Sequence, residues 1–66
     1  MSNLISPAQL KCINYHLWQL EKEWSTNVQA KLEALDRMTA SDIVSAFKAG
    51  NDEIAISQLN HLDIPV

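Results

Sequence analysis

The stretch SPAQLKCINYHLWQLEKEWSTNVQAKLEAL, residues 6–35, decides how this chain folds. Its large apolar residues Leu10, Ile13, Leu17, Leu20, Trp24, Val28, Leu32 and Leu35 recur at spacings of three and four. At 100° per residue, that spacing gathers them on one helical stripe about 120° wide. From Leu17 to Val28 the repeat runs over eleven residues and not seven, so a regular heptad zipper is not predicted.

The start of this helix is marked three times. Ser6 is a capping residue, Pro7 suits the first helical position, and Gln9 stands where it can close a capping box with Ser6. Ile5 and Leu10 occupy the two positions of a hydrophobic staple. The stripe then predicts a helix over residues 7–37. One run opposes continuity: Ser25-Thr26-Asn27 has low helix propensity, and Thr26 with Gln29 has the pattern of a fresh cap. A break near 25–27 is therefore the alternative to one long helix.

Past this stretch, Thr39 with Asp42 reads as a second cap and Met38 with Ile43 as its staple, predicting a helix over 40–49 that buries Ile43, Val44, Ala46 and Phe47. Gly50 is suited to the left-handed position that ends such a helix. Asn51 or Asp52 then caps a third helix over 53–62, with Ile54 or Ala55, Ile56, Leu59 and Leu62 turned inward. Pro65 pushes Ile64 out of helical geometry, so Ile64-Pro65-Val66 reads as an extended tail. The expected fold is all-α, a single domain over 1–66, with two short helices folded back on a long one as a hairpin or small bundle.

Sixty-six residues leave a marginal core. Cys12 is the only cysteine, which excludes an internal disulfide and the usual cysteine-based zinc clusters. The formal net charge of −3 disfavours nucleic acid and anionic lipid as partners. The opening Met-Ser-Asn-Leu-Ile-Ser-Pro lacks the basic and apolar regions of a secretion signal, and no apolar run reaches membrane-spanning length, so a cytoplasmic protein is expected.

Catalytic chemistry has little to work with. Cys12 and His16 are four apart on one helix, but two ligands make no metal site, and His61 and Asp63 join them only if the chain ends meet. They read as a packed thiol and a surface histidine. Glu21, Glu23, Glu33 and Asp36 interleave with Lys22, Lys31 and Arg37 as on a solvated helix face. No catalytic residue, metal or cofactor is predicted.

The aromatic residues carry more. Trp24 lies in the apolar stripe and reads as core, whereas Trp18 and Tyr15 lie to one side of it. They either pack beneath the carboxy-terminal helices or face a partner, since aromatics are enriched in protein interfaces. The candidate interface residues are Tyr15, Leu17, Trp18, Leu20, Trp24 and Val28.

Residues Ile43 to Leu59 resemble a helix-turn-helix unit in the placing of Ala46, Gly50, Ile56 and Leu59. The resemblance implies DNA binding through residues 53–62. Asn51 departs from the apolar residue of that pattern, and 53–62 contain no Lys or Arg for phosphate contacts. Ala46-Phe47-Lys48-Ala49-Gly50 followed by Ala55-Ile56 is also similar to the turn of a tetratricopeptide repeat, which does not bury its face alone.

The function expected is a small protein–protein interaction module, acting as an inhibitor, adaptor, antitoxin-like factor or assembly chaperone of bacterial or phage type. The alternative is a helix-turn-helix DNA-binding regulator. A continuous helix over 7–38 would be about 48 Å long, and two ten-residue helices of about 15 Å each would leave roughly a third of its stripe bare. A bare Leu17, Leu20 or Trp24 forfeits about 1.5–3 kcal/mol, so continuity predicts a two-fold homodimer. A broken helix lets the segments close into a monomeric four-helix cluster instead.

Overall fold

The computed structural model describes residues 3–66 and contains four helices in the order α1 (Pro7–Gln19), α2 (Thr26–Glu33), α3 (Arg37–Lys48) and α4 (Asp52–His61). The reading of the opening stretch includes Met1 and Ser2, which lie outside the described residues. α1 begins as its sequence predicts: the Gln9 N–H donates to Ser6 Oγ at 3.2 Å and the Ser6 N–H to Gln9 Oε1 at 3.0 Å. Ile5 and Leu10 are both partly buried against the core.

The continuous helix over 7–37 does not form. Its expected length of about 46 Å, at 1.5 Å per residue, exceeds the molecule's longest dimension of 33 Å. The chain leaves α1 at Glu21, whose φ is 57°. The Lys22 N–H reaches back to the Leu17 carbonyl at 2.9 Å and the Glu21 N–H to Trp18 at 3.0 Å, which is the Schellman pattern. Ser25 then caps α2 by accepting from the Val28 N–H at 3.1 Å, one residue before the expected Thr26 cap. The two-fold dimer inferred from a bare helix thereby loses its premise.

A second break also departs from expectation. α2 ends at Glu33 and Asp36 caps α3, accepting from the Thr39 N–H at 2.8 Å, so Thr39 lies within the first turn and is not the cap. With Asp36 as cap, the staple positions fall to Leu35 and Ala40, both buried, while Met38 is 79% exposed. The amino-terminal segment braces this junction: the Ile5 N–H donates to the Leu35 carbonyl at 2.8 Å and the Arg37 N–H to Asn3 at 2.6 Å. One of the donors left open at the start of α3 is satisfied in this way.

The other two turns repeat the α1 ending. Gly50, at φ 82°, terminates α3 with bonds from Gly50 to Phe47 (3.1 Å) and Asn51 to Ala46 (2.9 Å). Asp63, at φ 64°, terminates α4 with bonds from Asp63 to Asn60 (3.1 Å) and Ile64 to Leu59 (2.9 Å). Ile64 leaves helical geometry as expected, and it is 1% exposed and joins the core beside Leu59, the apolar contact that accompanies this cap. Lys31 Nζ donates to the Asp63 carbonyl at 2.6 Å, tying α2 to the last turn.

α3 is the central element and packs against both α1 and α4. The core gathers Ile13 and Leu17 from α1, Val28 and Leu32 from α2, Ala40, Ile43 and Phe47 from α3, and Ala55 and Leu59 from α4, closed by Leu35 and Ile64. Every helix buries apolar side chains in this one cluster, as the all-α fold class requires. Of the alternatives Ile54 and Ala55, Ala55 is the one turned inward and Ile54 is 54% exposed, while Leu62, expected inside, is 41% exposed. No described helix is long and apolar enough to cross a membrane.

Candidate functional site

The corner between α1 and α2 carries the most unusual surface of the molecule. Ile13 and Leu17 occupy the inward side of α1, which leaves Tyr15 and Trp18 outside, their ring centroids 6.3 Å apart and tilted by 34°. Gln19 Nε2 donates to Tyr15 Oη at 2.9 Å, fixing the phenol along the helix. Trp24 lies on the connection between the Glu21 turn and the Ser25 cap. Tyr15, Trp18 and Trp24 are 54%, 73% and 68% exposed.

Trp18 and Trp24 border a cleft of about 80 Å³, with the core residues Leu17 and Val28 lining it from within and Lys22 and Glu23 also bordering it. Two polar side chains join the helices there. Asn14 Nδ2 donates to Gln29 Oε1 at 3.0 Å, and Gln29 Nε2 donates to Asn14 Oδ1 at 2.6 Å. This reciprocal amide pair satisfies polar groups that half-burial would otherwise leave costly, and it holds α1 and α2 in register around the cleft.

Four of the six residues expected at an interface, Leu17, Trp18, Trp24 and Val28, therefore meet at one cleft. Their roles differ from the sequence reading. Leu17 and Val28 are buried in the chain's own core, so a partner meets little of them. Trp24, read as core, is turned outward because the helix that would have carried it inward ends at Gln19. Leu20 packs partly on the core and borders a neighbouring hollow of about 470 Å³ with Lys22, Asp52, Glu53 and Ile56. The amide pair had no local signal, since Asn14 and Gln29 are fifteen residues apart.

Cys12 and His16 lie one turn apart on α1. His16 stacks on Phe47 with centroids 4.8 Å apart. Its Nδ1 lies 2.9 Å from the Cys12 carbonyl, which only accepts, so this nitrogen carries a proton. Cys12 Sγ is 3.7 Å from the same nitrogen, which therefore has no free lone pair to take the thiol proton. Among the described residues no group of three or more His, Cys, Asp or Glu is placed to hold a metal ion.

α3 and α4 pack together across the Gly50 turn, but α4 opens with Asp52 and Glu53 and the chain has no Lys or Arg after Lys48. Carboxylates at that end repel the phosphates a recognition helix needs to approach. Compared with known protein families, curated proteins and solved structures, the chain matches none of them.

Proposed function

We propose that this chain is a small interaction module that binds a partner protein through the aromatic surface of Tyr15, Trp18 and Trp24, and that it acts by binding and not by catalysis. The observation that carries the reading is the exposure of all three rings, with Trp18 and Trp24 bordering one cleft and Tyr15 beside Trp18, in a protein whose core is already closed by other residues. Leaving a large aromatic in water forfeits stabilisation of about 1.5–3 kcal/mol, which a 66-residue fold does not spare without use. Trp and Tyr are also the residues that dominate binding energy at protein interfaces.

Size narrows the kind of contact. At about 150–250 Å² per aromatic side chain, the exposed fractions amount to roughly 300–500 Å². A standard interface takes about 800 Å² from each partner. The surface thus suits a short segment or a small patch of another protein. Inhibitor, adaptor, antitoxin-like and assembly-chaperone roles all share this step, and the proposal includes a cytoplasmic setting.

The test is site-specific photocrosslinking in cells of the source organism, with p-benzoylphenylalanine at position 18 and, as a control, at the exposed Lys11 on α1. The expected result is a discrete adduct from position 18 that is absent from position 11 and lost in Trp24→Ala. A product of twice the chain mass would identify the partner as a second copy. Identical patterns from the two positions would overturn the proposal.

A further inference from the structure

We infer that the segment bound at the Trp18–Trp24 cleft is basic, and that one of its arginine side chains enters between the two indoles. This inference rests on the interaction-module reading and adds the chemistry of the partner. It stands on the juxtaposition of aromatic rings with the chain's unbalanced charge.

Glu23 borders the cleft itself, and Glu21 borders an adjoining hollow with Trp18 and Leu20. Asp52 and Glu53 line the neighbouring hollow, which shares Lys22 with the cleft. Four carboxylates thus stand against one lysine, a balance of −3 that equals the net charge of the whole chain. The four basic and four acidic residues elsewhere cancel. The carbonyl end of α1 adds partial negative charge at the same corner.

Indole faces attract cations through their quadrupole, and arginine adds planar stacking to that attraction. An apolar segment would gain from the rings but nothing from the carboxylates. An acidic segment would be repelled, and a second copy would bring the same excess of negative charge to the contact. A segment with two arginines satisfies both features, one guanidinium against the indoles and another against Asp52 and Glu53. Lys22, bordering both spaces, is the one cation that opposes such a ligand.

The probe is the peptide acetyl-Gly-Arg-Gly-Arg-Gly-amide, compared with the same peptide carrying citrulline, a neutral isostere, in place of arginine. The chain has two tryptophans, so two indole N–H resonances report on the cleft directly. Saturable shifts of both are expected, with affinity about fivefold or more weaker for the citrulline peptide and falling with added salt. Lys22→Gln should tighten binding. Trp18→Ala and Trp24→Ala, checked by circular dichroism for retained helicity, should remove it.

No saturable response, equal affinity for the two peptides, or unchanged binding after loss of either indole, read on the resonance of the other, would each overturn the inference. Its failure is separable from that of the reading beneath it. A crosslinked partner whose capture is indifferent to salt and to Lys22→Gln sinks the basic-segment inference alone, whereas the absence of any partner at position 18 sinks the module itself.

Discussion

Three of the four helices end in the same Schellman turn, and the residue that must adopt positive φ differs each time: Glu21, Gly50 and Asp63. This allows one backbone argument to be tested in opposite directions within one molecule. A side chain in the left-handed region costs about 1–2 kcal/mol, while glycine loses about 0.4–1 kcal/mol more conformational entropy on folding. Glu21→Gly should therefore stabilise by about 0.5–1 kcal/mol, and Gly50→Ala should destabilise by a similar amount. A Cβ built at Gly50 meets no atom within 4 Å, so that cost is conformational and not steric. Asp63→Gly should gain less than Glu21→Gly, because aspartate tolerates this conformation better. At about 4–8 °C per kcal/mol for a domain of this size, the melting temperature should rise by ~2–8 °C in Glu21→Gly and fall by ~2–8 °C in Gly50→Ala. The assay is thermal unfolding followed by circular dichroism at 222 nm. In a continuous helix the same changes would have the opposite signs, since glycine costs about 1 kcal/mol relative to alanine in a helix interior. A lower melting temperature for Glu21→Gly would refute the break after α1, and a higher one for Gly50→Ala would refute the turn between α3 and α4.

Ile64→Ala should cost about 2–5 kcal/mol in urea unfolding because Ile64 is almost fully buried, whereas Pro65→Ala should stay within about 0.5 kcal/mol; equal small effects would show that Ile64 does not pack in the core. The Thr39 hydroxyl, and then its N–H, hold the Asp36 carboxyl below its ordinary value. The stability this adds is present above the unfolded value of about pH 4 and is lost as pH falls through the lower folded value, so Asp36→Ala should flatten the acid side of a melting-temperature profile between neutral pH and pH 2. Trp18→Ala and Trp24→Ala should change unfolding free energy by no more than about 0.5 kcal/mol; a loss of several kcal/mol from either would show that the ring packs inside. Sedimentation at micromolar concentration should show a folded monomer, because every helix already buries its apolar side in the shared core.

Local chemistry made some elements legible and hid others. The Ser6–Gln9 box and the Gly50 turn stand where the sequence predicts because each is specified within a few residues and uses the residue type its geometry prefers. The Glu21 turn uses a residue with no such preference, so nothing local marks it, whereas the end of α4 at Asp63 falls where Pro65 and a residue tolerant of positive φ allow it. Asp36 was hidden differently: Leu35 continued the apolar stripe, and Thr39 with Asp42 offered a second plausible cap three residues further on. Tertiary contacts decided between them, since the backbone of Asn3 and Ile5 binds on either side of Asp36. The Asn14–Gln29 pair lay beyond any short-range reading for the same reason.

Trp24 shows how a structural misreading can point to function. The eight-residue stripe placed it among core positions, and periodicity does not register a change of direction that preserves the spacing on both sides. Ile13 and Leu17 before the turn, and Val28, Leu32 and Leu35 after it, are buried as the stripe predicts, and Leu10 and Leu20 are partly so. Trp24 falls on the non-helical connection between α1 and α2, and it is the one member of the stripe left exposed. Its period therefore records no packing requirement of this fold. A connection that needs only a residue able to lead into the Ser25 cap has no use for an indole, and a polar residue there would spare the chain an exposed apolar surface. Trp18, exposed on the adjoining side of the same cleft, is equally unneeded by the core. Two indoles that folding does not require, set beside the carboxylates that hold the chain's net charge, are the features that the proposed basic segment would account for.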